Sequence, residues 1–278
     1  MLRDITIGQF YPAKSVIHQL DPRVKLFATL IYIIALFSYQ GIVGFGIITL
    51  FLFGVIYLSR VPLGYIVKGL KTIVMLVLIT AFFNVIFTPG DHVFWQYKAL
   101  QITDTGILNA VRMSIRLIYL IIGTSLMTLT TTPNQLTDGL EKALSPLNKI
   151  HIPVHAIAMM MSIALRFIPI LMEETDKIMK AQMARGADFE SGNIFQRIRN
   201  VVPLLVPLFV SAFRRADELA LAMEARCYHG GEGRTKMKPL RYTGKDILAY
   251  VICLAFLAAV ILLRIFLPAG ISFWEWIL

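Results

Sequence analysis

Apolar residues run without a charge for 33 positions from Leu26 to Leu58, "LFATLIYIIALFSYQGIVGFGIITLFLFGVIYL". As one helix this run would extend about 50 Å, whereas a bilayer core takes only ~20 residues. It therefore divides, and Tyr39, Gln40 and Gly41 mark a tight hairpin between two short spans. A third span is expected from Gly69 to Thr88, ended by "TPGD", and a fourth from Ile107 to Thr130, ended by "TTTPNQ". Proline stops each, because the residue before it is pushed out of the helical region. The fifth runs from Ile247 to Leu267.

Two other apolar stretches do not behave like spans. Residues 154–172, "VHAIAMMMSIALRFIPILM", contain Arg166 and Pro169 and continue unbroken into "EETDKIMKAQMARG". Residues 201–213, "VVPLLVPLFVSAF", number only 13 and continue into "RRADELALAMEARC". Each predicts a long helix, apolar first and charged later, lying along the membrane face. If 154–172 crossed the bilayer instead, 201–213 would have to cross back at well under ~20 residues. The expected fold is an all-α polytopic membrane protein with about five transmembrane helices and three long amphipathic cytoplasmic helices. It divides into a membrane domain over 1–131 with four spans, a cytoplasmic helical region over 132–246, and 247–278 with the last span and an outer tail.

Composition agrees: 57% of the 278 residues are hydrophobic and 16% charged, with a mean hydropathy of +0.69, outside the soluble range. The net charge of +10 first serves orientation in such a chain, not nucleic-acid binding. Arg60, Lys68 and Lys71 have no acid near them in 59–71, which places that loop and the N-terminus in the cytoplasm. Residues 89–105 hold Asp91 and Asp104 against Lys98 and suit the outer face, with Trp95 and Tyr97 as interfacial aromatics. The C-terminal "ISFWEWIL" is then outside. Residues 132–246 hold 16 Lys and Arg and 12 Asp and Glu, more than half of all charges. The start "MLRDITIGQFYPAKS" lacks the short apolar core of a signal peptide, so the first span is expected to be the address. Cys227 and Cys253 fall in different environments, which argues against a disulfide.

One local pattern repeats. Shifted by 41 positions, residues 170–186 and 211–227 share Asp176 with Asp217, Ala181 with Ala222, Ala184 with Ala225 and Arg185 with Arg226. In D-x4-A-x2-A-R the alanines leave a low helix surface for close packing, and the arginine suits a bidentate carboxylate pair. For either copy alone a plain alternative stays open. An arginine in the last helical turn complements the helix dipole, with Gly186, or Gly230 and Gly231, as the stop.

"SVIHQLDPRVKL" (15–26), "TTTPNQLTDGLEKALSPL" (130–147), "LRFIPILMEETDKIMKAQMARGAD" (165–188) and "VPLFVSAFRRADELALAMEARCY" (206–228) extend the comparison to nearly the whole chain. With these strings the sequence resembles the transmembrane T-component of an energy-coupling factor (ECF) vitamin transporter. The resemblance implies a bacterial cell-membrane subunit that joins two ABC-type ATPases to a substrate-binding S-component. It implies coupling helices near 134–148, 154–186 and 198–228, with short arginine motifs docking into the ATPases. The first motif is Ala184, Arg185, Gly186; the second is Ala225, Arg226, Cys227, where cysteine replaces the usual small glycine. The resemblance implies no catalysis and no cofactor on this chain, with ATP and Mg on the partner ATPases.

The residues themselves agree in lacking G-x-x-x-x-G-K-[ST]; "GGEGRT" and "YTGKD" do not carry the phosphate-cradling spacing. A competing reading is a membrane-embedded phospholipid-type transferase with Arg185 and Arg226 as phosphate clamps. It requires acids or histidines nearby, and Glu173, Glu174, Asp176, Asp217 and Glu218 precede their arginines by two or three turns. His151 and His155 have metal-ligand spacing but flank Pro153 without an acid or cysteine. Arg112 and Arg116 share a face at the outer end of span four, suited to snorkelling, to stabilising a bend or to S-component contact. Asn84 is expected to bond between helices, and Pro169, Pro203 and Pro207 to kink theirs.

Overall fold

A computed structural model describes residues 10–38, 41–71, 73–89, 93–97, 100–187, 189, 194–230, 237 and 239–266. Among the described residues the regular elements are helices apart from one hairpin. α1 (Val16–Gln19), α2 (Pro22–Ser38), α3 (Ile42–Ser59), α4 (Leu63–Lys71) and α5 (Val74–Phe87) are followed by β1 (Val93–Tyr97) and β2 (Leu100–Thr103). Then come α6 (Asp104–Thr130), α7 (Pro133–Leu144), a 3-10 turn (Ser145–Ile150), α8 (Val154–Ala184), α9 (Ile194–Glu224) and α10 (Gly244–Phe266). The described residues form two compact units, one within Gly8–Gly139 and Leu240–Leu278, the other within Leu140–Pro239.

By length and composition α6, α8 and α10 can each cross a membrane, and α4 with α5 form a fourth, broken candidate bent by 57°. Five spans were expected. The expected third span divides at Lys71, and the expected loop over 59–71 contains α4, amphipathic with Ile66 buried. α2 and α3 have 17 and 18 residues, about 25–27 Å each. α8 meets the length criterion despite Arg166 and Pro169, which the sequence reading set against a crossing. The acidic loop after α5 is an antiparallel hairpin in which Trp95 pairs with Ile102 and Tyr97 with Leu100. Tyr39 and Gln40 of the "YQG" turn, the side chains of Trp95 and Tyr97, and the tail from 267 lie outside the described residues and side chains, while Gly41 is the N-cap of α3.

In the first unit α10 packs on α2, and α5 on α6. Ile31, Tyr32, Ala35, Leu36, Ile48, Leu52, Leu126, Phe256 and Val260 make its core. The rings of Phe51 and Phe256 stack at 4.1 Å. Gly123 lets the Tyr32 ring lie on α6: a Cβ there would stand 2.3 Å from Tyr32 Cε1. Tyr32 donates to the carbonyl of Tyr119 at 2.9 Å, and the Tyr119 hydroxyl meets Thr49 Oγ1 at 2.6 Å.

The "LDPRVK" string has a definite task at this unit's helix ends. Pro22 takes the first position of α2, where its missing N–H is no loss, and Asp21 Oδ1 accepts the Arg23 amide at 2.9 Å as an N-cap. Arg23 returns two side-chain bonds to Asp21, at 3.0 and 2.9 Å, and lies over the Tyr242 ring at 4.0 Å. Burial pushes the Asp21 carboxyl up, but the hydrogen bonds and charge of Arg23, with the charge of Lys25, outweigh it and hold the group below the usual carboxylate range. Asp246, 2% exposed, caps α10 by accepting the Thr243 amide at 2.7 Å and accepts the buried Asp21 amide at 2.8 Å. Lys25 donates to the Thr130 carbonyl at 2.8 Å. Three helix termini, 225 residues apart at the extremes, are thus joined by buried polar bonds. Thr132 and Gln135 form a reciprocal capping pair at the start of α7, at 3.3 and 3.2 Å.

Candidate partner-docking site

α8 and α9 each run 31 residues without interruption, through Pro169 and through Pro203 and Pro207 respectively. Their ends are alike. After Ala184, Arg185 is the C-cap and Gly186 turns left-handed at φ +89°. The Gly186 amide donates to the Met183 carbonyl and the Ala187 amide to the Gln182 carbonyl, both at 3.0 Å. After α9, Cys227 turns left-handed at φ +55°. The Cys227 amide donates to the Glu224 carbonyl at 2.9 Å and the Tyr228 amide to the Met223 carbonyl at 3.1 Å. Both ends therefore close by the same pair of hydrogen bonds around a left-handed residue, one position after the repeated arginine.

This sharpens three expectations. The arginines cap their helices instead of sitting in the last turn. The second helix stops at Cys227, three residues before Gly230, and Gly231 is outside the described residues. A Cβ at Gly186 would meet nothing within 4 Å, so within this chain its smallness serves the backbone turn and not a close approach. Cysteine adopts the same turn against the steric preference of L-residues.

Ala184, Arg185, Gly186, Ala225, Arg226 and Cys227 are all exposed, as are Ala181 and Ala222. The low-relief face and its arginine tip are therefore open at both ends. Asp217 is exposed and Asp176 half-buried.

Between the helices, Arg215 Nη2 donates to Glu174 Oε2 at 3.4 Å, and Gln182 Nε2 donates to the Pro203 carbonyl at 3.3 Å. Moving forward along α8 moves the contact backward along α9, so the two run in opposite senses. Glu174 and Arg215 stand in the same relation as Arg185 and Arg226, 41 positions apart. Each arginine is eleven residues beyond this ion pair on its own helix, about 16 Å along the helix axis, on opposite sides of it.

Other singled-out residues separate. His155 Nδ1 pairs with Glu141 Oε1 at 2.9 Å, while His151 ends the 3-10 turn in the left-handed region at φ +62°; the two do not share a helical face. Among the described residues no group of three or more His, Cys, Asp or Glu gathers as a metal-binding cluster would. Asn84 Nδ2 donates to Thr80 of its own helix at 2.8 Å, not to another helix, because the Thr80 carbonyl lies one turn back within reach. Arg116 is twelve residues into α6 and lies over the rings of Phe37 and Phe45, at 5.4 and 6.0 Å. It rests on the aromatic residues that flank the turn between α2 and α3.

The architecture defines a class: a polytopic helical membrane protein carrying two matched, arginine-capped helix ends. The family model described as "Cobalt transport protein" (CbiQ) matches residues 13–237. An "Energy-coupling factor transporter transmembrane protein EcfT" of Clostridium kluyveri is 55% identical over 266 residues, covering 95% of this chain and 98% of that one. Proteins of the same name from Acidaminococcus fermentans and Bacillus subtilis are 49% and 48% identical, over 97% and 94% of this chain and 100% and 98% of theirs. The chain belongs to this family, the transmembrane T-components of ECF transporters.

Proposed function

We propose that this chain is the scaffold that couples ATP hydrolysis by two partner ATPases to substrate uptake through a membrane S-component. Arg185 and Arg226 with their flanking residues are the docking plugs, one per ATPase. ATP and Mg belong to the partners, and this chain performs no catalysis and holds no cofactor. It sits in the bacterial cell membrane with the N-terminus cytoplasmic and the C-terminus outside, as the charge of 59–71 favours.

The observation that carries this reading is the identity of the two helix ends. An arginine that only complemented a helix dipole does not need the same left-handed closing turn on both helices. Two matched, exposed guanidinium tips fit two equivalent acidic sockets. Movement of the sockets would then be transmitted along α8 and α9 as rigid levers.

Copurification from native membranes tests it. Wild type is expected to bring two ATPases with it. Arg185→Glu combined with Arg226→Glu is expected to abolish that association while the protein remains inserted, and each single replacement to weaken it less. Full ATPase recovery with the inserted double variant refutes the docking role.

A further inference from the structure

A cavity of about 420 Å³ opens among the helix ends of the first unit, between α2, α3, α6 and α10, with α1 against it. Leu20, Val24, Ala28, Val55, Leu248 and Ile252 form much of its wall. It reaches from Lys25 to Tyr32 on α2, from Ser59 to Phe51 on α3, from Thr130 to Gly123 on α6 and from Lys245 to Cys253 on α10. These stretches are eight or nine residues each, so the depth is about 10–12 Å, and all begin at the same end of the bundle.

Its few polar side chains are already engaged. Lys25 donates to Thr130 and His18 carbonyls at 2.8 and 3.3 Å. Thr29 and Thr130 donate to carbonyls one turn back, at 2.8 and 2.7 Å. Tyr32 is bonded to Tyr119. Ser59 both donates, to Ile56 at 2.7 Å, and accepts, from Val61 at 3.3 Å. A polar solute would give up its hydration here and find no partner. The exception is at the rim. Lys245 is exposed and its ammonium donates to the neutral Gln19 side chain at 3.0 Å; no ion pair to it occurs among the described residues.

We infer that this cavity holds an acyl chain of an anionic phospholipid, with the headgroup phosphate at Lys245. Hydrocarbon gains little by moving from bilayer to an apolar wall, so shape admits the chain and the lysine selects the headgroup. A basic side chain at the membrane surface favours anionic over zwitterionic lipid by about five-fold.

The test uses the full chain in phosphatidylcholine vesicles doped with acyl-photoactivatable phosphatidylglycerol or phosphatidylcholine. Labelled peptides are mapped, and labelling of Leu248 to Ile252 is normalised to the outward Leu78 of α5. We expect about five-fold more cavity labelling with phosphatidylglycerol. Lys245→Gln, a surface change, should bring the two probes to parity. Ala249→Trp, which fills the cavity, should remove cavity labelling with both, and Ala28→Trp does the same from the facing helix should the first variant misfold. Absent cavity labelling, equal labelling by both probes in wild type, or unchanged labelling in a folded filler variant each overturns the inference.

Discussion

The two helix ends differ in the residue that takes the left-handed position and share one backbone conformation, which makes their energetics separable. Gly186 sits at φ +89° and Cys227 at φ +55°, and a left-handed L-residue costs roughly 1 kcal/mol or more relative to glycine. Gly186 has open space around its missing Cβ, so Gly186→Ala adds backbone strain without a clash. Cys227→Gly relieves strain, and the exposed thiol gives up little packing. Each change should therefore move local opening of its helix end by about 1 kcal/mol, a factor of about five in amide protection. Amide exchange of the full chain in detergent reads this at the donors that close each turn. Gly186→Ala is expected to lower protection at positions 186 and 187 about five-fold and leave the second end unchanged. Cys227→Gly is expected to raise protection at 227 and Tyr228 by a similar factor. If both variants shift protection in the same direction, or neither does, the left-handed turn is not what holds these ends.

Three further outcomes are expected. Asp246→Ala leaves the buried Asp21 amide without its 2.8 Å acceptor and removes a helix cap, so thermal unfolding in detergent should show a loss of about 2–3 kcal/mol; Asp246→Asn, which keeps one acceptor oxygen, should lose less. Because the Asp21 carboxyl is held below its ordinary value, its contribution is present above the unfolded pKa near ~4 and is lost as pH falls through the lower folded one; a melting series run downward from pH 6 should show an acid-side loss that Asp21→Asn reduces. Gly123→Ala drives a methyl into the Tyr32 ring and should cost about 1–3 kcal/mol, partly recovered by the smaller Tyr32→Leu, with unchanged melting of Gly123→Ala as the refuting result.

Much of this fold is legible in the sequence where pattern and punctuation coincide. The expected helices near 154–186 and 198–228 are found at Val154–Ala184 and Ile194–Glu224, because an apolar run passing into charged residues keeps one helical period to a left-handed stop. Pro133 and the Thr132–Gln135 pair fix the start of α7 in the same local way. The hairpin at 93–103 was less visible: "VFWQY" alternates over only five residues, and the acidic charge of its surroundings spoke to membrane side, not to strands. α4 was hidden because Lys68 and Lys71 were weighed as orientation charges, although Ile66 lies on a helical face. The union of Asp21, Lys25, Thr130 and Asp246 has no local signature, since helix packing alone brings positions 225 residues apart within hydrogen-bond reach.

At the candidate site the sequence supplied the arginines and their spacing, but not what the spacing means. An offset of 41 positions seemed to place one motif a fixed distance after the other along the chain. With α8 and α9 opposed and Glu174 paired to Arg215, the same offset places the two motifs eleven residues out on either side of that pair. Counted along the two opposed helices, the path from one tip through the pair to the other is on the order of 30 Å. Two similar ends set apart in this way suit the proposed docking of one partner at each. Cys227 fits this view because the backbone turn, not the glycine, is what the two ends hold in common.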